Sequence, residues 1–242
     1  MSTPALIKLT ITTLIGVAIL VWLGTWQLER YAWKEDIIDR IEARTARNPV
    51  SLERAIELSN KLGDPSYLPV RTEGRFHHER ERYLYSISLD GRPGWHVITP
   101  LETVSGRVVL VDRGFVPEQA RDPKARAQGQ FKDVVTVTGL VRTPESPGLF
   151  SPDNDLEANQ WFTRDLGAMT RSMFPGGTVE AVPFFLETVE SDIPGGWPQG
   201  GQTRLQLSRN HLQYAFTWFA LAICLVGVYA AYVWSARSGK RP

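Results

Sequence analysis

The sequence has almost no cysteine and, at its two ends, no acidic residue. Cys224 is the one cysteine among 242 residues, so the chain can form no internal disulfide and no thiolate metal cluster. Every aspartate and glutamate lies between Glu29 and Asp192. This uneven distribution of charge indicates that the ends and the middle of the chain occupy different surroundings.

Two apolar segments, residues 9–28 and 210–235, contain no Asp, Glu, Lys or Arg. A bilayer core about 30 Å thick requires roughly 20 mostly apolar residues in a helix, so both segments are long enough to span it. The second segment is apolar on all sides, unlike an amphipathic core helix. The first could also be a buried helix or a cleaved signal peptide. It lacks a small-x-small cleavage pattern, and we predict an uncleaved anchor.

The flanks of these segments predict the topology. Lys8 precedes the first span, and Arg237, Lys240 and Arg241 follow the second, with no acid in either flank. Because positively charged flanks stay in the cytoplasm, both termini should be cytoplasmic and the middle should face outward. Removing these four from the 27 basic residues leaves 23 against 26 acidic residues, a net charge of −3. This balance argues against a partner that is a nucleic acid.

The same limits divide the chain into six predicted segments. They are a cytoplasmic N-terminus (1–8), a first transmembrane helix (9–28), a helical extension (29–68), an extracytoplasmic β-rich domain (69–209), a second transmembrane helix (210–235) and a basic cytoplasmic tail (236–242). In the extension, one helix should stop near Asn48-Pro49, and Ser51 should cap a second helix that ends near Gly63.

The β-rich domain is predicted from alternating apolar residues and β-branched runs between turn signals. The predicted strands are 70–76, 82–89, 95–101, 107–111 continued by 115–116 after a possible bulge, 134–142, 161–163, 184–189 and 205–207, with a short helix over 166–173. No regular alternation of strand and helix is present. The predicted fold class is therefore an α+β membrane protein, with two transmembrane helices flanking a mostly antiparallel β domain with helical additions.

Small side chains recur at helical spacing in both spans. In the first span Thr12, Gly16 and Gly24 fall in a row spaced by four that also includes Leu20, and in the second the small residues are Ala220, Cys224, Gly227 and Ala231. Small residues allow two helices to approach closely, so the spans could pack together or against a partner.

Motifs of catalysis are absent from the sequence, which has no Gly-x-Ser-x-Gly elbow, phosphate loop or dinucleotide fingerprint. The adjacent His77 and His78 are predicted to point to opposite faces of a strand as exposed polar side chains. A structural, hydrogen-bonded role is predicted for His96, and a solvated turn for residues 153–155. We therefore predict that the protein is not an enzyme.

His211 differs from the other histidines because it stands in the first turn of the second span. The helix N-terminus and the low dielectric both disfavour a protonated ring, and the neutral ring binds metals. Tyr214, Ala215 and Trp218 follow on the same helical face, which could accept a haem with His211 as axial ligand. From these residues alone, a histidine that merely anchors the helix in the headgroup region is the favoured alternative. Nearby basic residues could pair with haem propionates or with lipid phosphates: Arg30, Arg204 and Arg209.

Six segments spread over nearly the whole chain resemble a known family. They read LGTWQLER (23–30), GWHVITPL (94–101), VDRGFVP (111–117), GLVRTPE (139–145), NQWFTRD (159–165) and NHLQYAFTWF (210–219). In this order they are similar to the surfeit-locus protein family of cytochrome c oxidase assembly factors. The family's asparagine pair is incomplete, because Arg209 precedes Asn210.

The resemblance implies an assembly factor that helps to bind haem a and insert it into subunit I of cytochrome c oxidase. It also implies that His211 is the ligand of the haem iron, shielded by Tyr214 and Trp218, and it reverses the preference stated for His211. Possible further partners are haem a synthase and membrane lipid. Because the first span begins within ten residues, we expect a bacterial inner-membrane protein with a periplasmic central domain. The alternative is a haem-free scaffold that stabilises an oxidase subunit or an assembly intermediate.

Overall fold

The computed structural model describes residues 3–148, 151–177, 179–190, 192–202 and 210–237. The chain divides into two compact units, Met1–Arg40 with Leu205–Pro242, and Ile41–Arg204. Several sequence predictions fall outside the described residues: the strand 205–207, Arg204, Arg209, Lys240, Arg241 and the side chain of Arg237.

Four α-helices and eight strands make up the described part of the chain. In chain order they are α1 (Thr3–Thr45), β1 (Val50–Ser51), α2 (Leu52–Leu62), β2 (Pro69–Phe76), β3 (Arg82–Ile87), β4 (Pro93–Thr103), β5 (Val108–Val116), β6 (Val135–Arg142), β7 (Gln160–Trp161), α3 (Leu166–Met173), β8 (Ala181–Thr188) and α4 (His211–Arg237).

The first unit is a pair of apolar helices, α1 and α4, each long and apolar enough to cross a membrane. They pack directly against each other. A Cβ added to Gly24 would lie 2.7 Å from the Phe219 ring, and one added to Gly16 would lie 3.0 Å from Leu225 Cδ2. The glycines of the first span therefore serve the close approach that the small-residue spacing predicted.

The small-residue strip predicted in α4 is not part of this contact. Cys224 is exposed, and a Cβ added to Gly227 would meet nothing within 4 Å. Instead, the buried small residues of α4 are Ala215 and Ala222. The physical reason is that the glycines of α1 receive large side chains from α4, which turns the small strip of α4 away from the contact.

The second unit is built on a small barrel. β2 pairs antiparallel with both β6 and β4, β4 pairs antiparallel with β5, and β8 lies antiparallel to β6 and parallel to β5. Followed in order, these pairings close a ring of five strands. β3 and β7 extend the sheet beyond β4, and β1 joins β2 in parallel. The predicted mostly antiparallel β domain is confirmed, whereas the central parallel pair β5–β8 was not predicted.

Two apolar clusters lie on the two sides of the barrel wall. All five barrel strands and α2 contribute side chains to the interior cluster: Leu52, Ala55, Val70, Phe76, Leu101, Val109, Val111, Val137, Val141, Val182, Phe184 and Leu186. Residues of α3 pack on the other side with Leu84, Ile98, Val108, Leu110, Trp161 and Phe185. β5 is therefore buried along its whole length, which leaves any polar residue in it without access to water.

The predicted bulge in β5 is present. His96 of β4 is opposite Phe115, whereas Ile98 is opposite Asp112, so β5 has one residue more than β4 in this interval. Gly114 lies in the interval with a φ of 110°, a backbone conformation that favours glycine. The bulge thus places the polar part of the run VDRG inside a wall that is otherwise apolar.

The other sequence predictions of local structure agree closely with the elements. The helix over 166–173 is confirmed at its exact bounds. Ser51 caps α2 by accepting a hydrogen bond from the Arg54 backbone N–H, and Gly63 ends that helix. The first helix ends at Thr45, just before Asn48. β1 was missed because two residues are too few to show a period.

Candidate functional site

His211 and Gln27 form the polar contact of interest in the helix pair. His211 Nδ1 lies 2.7 Å from Gln27 Oε1. With the Gln27 amide in this orientation its oxygen faces the ring and accepts, so a neutral ring that donates from Nδ1 keeps its lone pair on Nε2. Within the described residues, Nε2 has no hydrogen-bond partner. Nε2 is thus the atom of this ring that can bind a metal.

The two aromatic residues predicted beside His211 differ in their surroundings. Tyr214 is 54% exposed, whereas Ala215 is 1% exposed and Trp218 is half-buried. The indole N–H of Trp218 is buried and has no acceptor in the part of the chain that the structure describes. The predicted common face therefore divides into a packed side, with Ala215 and Trp218, and an accessible side, with Tyr214.

This chemistry fits a haem. A neutral imidazole with one nitrogen held and the other available is the usual form of a histidine metal ligand, and an exposed phenol ring offers a flat apolar surface. Among the basic residues considered for the propionates, Arg30 stacks on Trp33 with its guanidinium carbon 3.9 Å from the ring centroid. The other two lie outside the described residues.

The barrel wall contains a buried network of charged residues at the β5 bulge. The Asp112 carboxylate, fully buried, lies 2.8 Å from His96 Nδ1 and 3.0 Å from Arg164 Nη2, and it also accepts the Gly114 backbone N–H at 3.1 Å. Arg164 reaches Glu145 at 3.0 Å with its other nitrogen. The segments 94–101, 111–117, 139–145 and 159–165, which carry the family resemblance, therefore meet in one place.

These charges stabilise one another. Burial by itself would raise the pKa of the Asp112 carboxyl, but His96 and Arg164 hold that pKa well below its usual range. Burial likewise lowers the pKa of His96, yet the Asp112 carboxylate outweighs this and raises it. The hydrogen-bonded structural role predicted for His96 is confirmed.

Glu81 is the centre of a second buried network. It is 4% exposed and accepts hydrogen bonds from Arg126, one of them at 3.1 Å, with Arg113 Nη1 at 3.4 Å. Burial alone would raise the pKa of Glu81. Hydrogen bonds from His78 and Arg126, together with the positive charges of Arg126 and Arg113, lower it to about 2.

The predicted exposure of His77 and His78 in a strand is wrong. β2 ends at Phe76, and a short 3₁₀ turn begins at His78. The turn brings both rings against neighbours: His77 Nε2 lies 2.9 Å from Glu102 Oε2, and His78 Nε2 lies 3.0 Å from a backbone carbonyl oxygen. They line a cleft of about 740 Å³.

The exposure predicted for residues 153–155 is confirmed for the two aspartates, but the turn itself lies at residues 156–159. Asn154 Oδ1 accepts the Phe162 backbone N–H at 2.8 Å, and Asp153 and Asp155 are exposed. Within the described ranges, no three His, Cys, Asp or Glu side chains are grouped so that they could hold a metal ion.

Sequence reasoning missed Gln27 and both buried networks. A signal for Gln27 was available, because an amide at the end of an apolar span needs a hydrogen-bond partner. Asp112 and Arg113 interrupt an apolar run, which was a signal of buried charge. Arg126 gave no signal, since it lies in a polar segment.

Fold and site together define a class: a β-barrel unit bracketed in sequence by two apolar helices, one of which carries a histidine with one available ring nitrogen. The sequence model of the SURF1 family matches residues 14–223. The chain therefore belongs to the SURF1 family, which confirms the family predicted from the six segments.

Curated relatives agree with this assignment. Surfeit locus protein 1 of Homo sapiens is 36% identical over 230 residues, which cover 88% of this chain and 71% of the human protein. The protein of the same name from Takifugu rubripes is 34% identical over 236 residues, 90% of this chain and 92% of that protein. That from Gallus gallus is 36% identical over 216 residues, with coverages of 82% and 67%.

Proposed function

We propose that this protein is an assembly factor for cytochrome c oxidase that binds haem a through His211 and helps to place it in the catalytic subunit I. Membership of the SURF1 family supports the class of assembly factor. The observation that carries the haem part of the proposal is the His211–Gln27 contact, which leaves Nε2 as an available ligand atom.

In this proposal each residue of the site has a separate task. His211 Nε2 would supply a bond to the haem iron, Tyr214 would cover the macrocycle on the accessible side of α4, and Trp218 would shield it from the packed side. One axial histidine instead of two suits a carrier, because a ligand that must be passed on cannot be held too tightly.

The proposal includes a location. The two apolar helices anchor the protein in a bacterial inner membrane, both termini are cytoplasmic, and the barrel unit faces the periplasm. The partners are then subunit I of the oxidase, membrane lipid and haem a synthase. We infer no catalytic role, since the buried charges of the barrel are paired with one another.

The test is the haem a content of full-length protein purified from cells that make haem a. Wild type and His77→Ala, a matched histidine variant in the barrel unit, should both carry haem a, and His211→Ala should lose most of it. Equal occupancy in His211→Ala would remove His211 from the ligand role. A haem-free wild type that still co-purifies with subunit I would favour the scaffold alternative.

A further inference from the structure

The apolar contact between α1 and α4 is interrupted by few polar groups. Among the hydrogen bonds of this unit, Thr10 bonds to Tyr229 at 2.7 Å and Gln27 to His211 at 2.7 Å, each joining a side chain of α1 to one of α4. The first joins two hydroxyl groups, and since Thr10 also donates to the Leu6 carbonyl oxygen, the hydrogens of both hydroxyls are used within the helix pair. The second fixes one nitrogen of a ring whose other nitrogen is available.

From this difference we propose that Gln27 is a positioning residue that selects the Nδ1–H tautomer of His211 and so makes Nε2 the ligand atom. The inference rests on the proposed function of His211, but its first consequence concerns the ring itself and holds without any ligand. Gln27 does this from α1, 184 residues away along the sequence.

The two tautomers of the uncharged His211 ring differ in energy beside Gln27. With the Gln27 amide oriented as it is in the structure, a hydrogen on Nε2 would leave a lone pair of Nδ1 facing the amide oxygen, so that two acceptors would lie 2.7 Å apart. The Nδ1–H form instead donates to that oxygen. A partner that holds one ring nitrogen also orients the ring, and its loss typically reduces metal affinity by about 10- to 100-fold.

The packing of the helices keeps Gln27 within reach. Gly24, one turn before Gln27, lies against the Phe219 ring, where any Cβ would be 2.7 Å away. Phe219 in turn lies two turns after His211 on α4. The close approach at Gly24 therefore sets the separation at which an amide side chain spans from α1 to the ring of His211.

The direct test is the tautomer of His211 in haem-free, full-length protein in nanodiscs with ¹⁵N-labelled histidine. Two-bond ¹⁵N–¹H correlations distinguish the two tautomers, and the spectrum of His211→Ala assigns the signal. Wild type should show Nδ1–H. Gln27→Leu should lose this preference, and Gln27→Glu should keep it because a carboxylate also accepts. Gln213→Leu, which changes an exposed glutamine of α4, should match wild type.

The second readout is the dissociation constant for haem a. Gln27→Leu should weaken binding by about 10- to 100-fold, and Gln27→Glu and Gln213→Leu should bind like wild type. If Gln27→Leu keeps the wild-type tautomer, the inference is overturned. It is also overturned if Gln27→Leu changes the tautomer and still binds haem a as tightly as wild type, while His211→Ala shows that binding depends on His211. If His211→Ala binds haem a as wild type does, the proposed function fails. The tautomer measurement then still shows whether Gln27 selects the tautomer of His211.

Discussion

Buried polar groups have different surroundings in the barrel unit and in the helix pair. In the barrel, Asp112 is paired with His96 and Arg164, and Glu81 is paired with His78, Arg113 and Arg126, so that these charges are satisfied within the protein. In the helix pair, one ring nitrogen of His211 is held and the other is left available in the described structure. The comparison shows that the buried charges of the barrel stabilise the fold, whereas the ring nitrogen available to a ligand lies in the helix pair.

The largest effect should follow from breaking the network at the bulge. Asp112→Ala would remove the buried carboxylate that His96 and Arg164 share, and removing one partner of a buried ion pair typically costs about 3–5 kcal/mol. Denaturant unfolding of the full-length protein in detergent measures this loss. Asp90→Ala, which removes an exposed partner of Arg92, should change stability by less than about 1 kcal/mol. Equal effects of both variants would contradict a structural role of the network.

Acid should weaken the barrel through Glu81. The pKa of Glu81 is lowered from 4.5 to about 2 in the folded protein. Its contribution to the free energy of unfolding is therefore complete above about pH 4.5 and is lost as the pH falls toward 2. The difference corresponds to about 3 kcal/mol. Stability measured against pH should fall less steeply for Glu81→Gln than for wild type, and parallel curves would show that Glu81 is not stabilised in this way.

A smaller loss should follow in the helix pair from Gly24→Val, because the new side chain would overlap the Phe219 ring. Overpacking typically costs about 1–3 kcal/mol, observable by unfolding with SDS monitored by circular dichroism. Gly227→Val is the matched control, since its Cβ meets nothing within 4 Å. If the two glycines tolerate valine equally, the close contact at Gly24 is refuted.

The smallest effect is expected for the hydrogen bond between Thr10 and Tyr229. The Thr10 hydroxyl donates to the Leu6 carbonyl oxygen at 2.8 Å, so Tyr229 is the donor to Thr10. A double-mutant cycle of Thr10→Val and Tyr229→Phe should give a coupling energy of about 0.6 kcal/mol, the average for such bonds in membranes. A coupling energy of zero would mean that the two helices gain nothing from this bond.

Much of the fold was predictable because short-range sequence patterns, above all the spacing of apolar residues, determine its helices and strands. Apolar length predicted the two long helices, alternation predicted strands, and Ser51 at a helix start predicted α2. A bulge between residues 111 and 115 was predicted as well, and it is present in β5. The parallel β5–β8 pair was not predictable, because the two strands are far apart in the sequence and no local pattern links them.

The candidate site was predictable only in part, for the same reason. His211 was marked by its place at the start of an apolar span, but Gln27 acquires its role through a contact between distant parts of the chain. Sequence spacing put Tyr214 and Trp218 on one face with His211. It could not say that packing against α1 would bury Trp218 more than Tyr214.

The most direct test of the central claim, that the available nitrogen of His211 binds haem iron, is a rescue of the ligand. Purified full-length His211→Gly should bind ferric haem a much more weakly than wild type, and added imidazole should restore both binding and the wild-type absorption spectrum. Binding that is undiminished in His211→Gly, with a spectrum that imidazole does not change, would contradict the account.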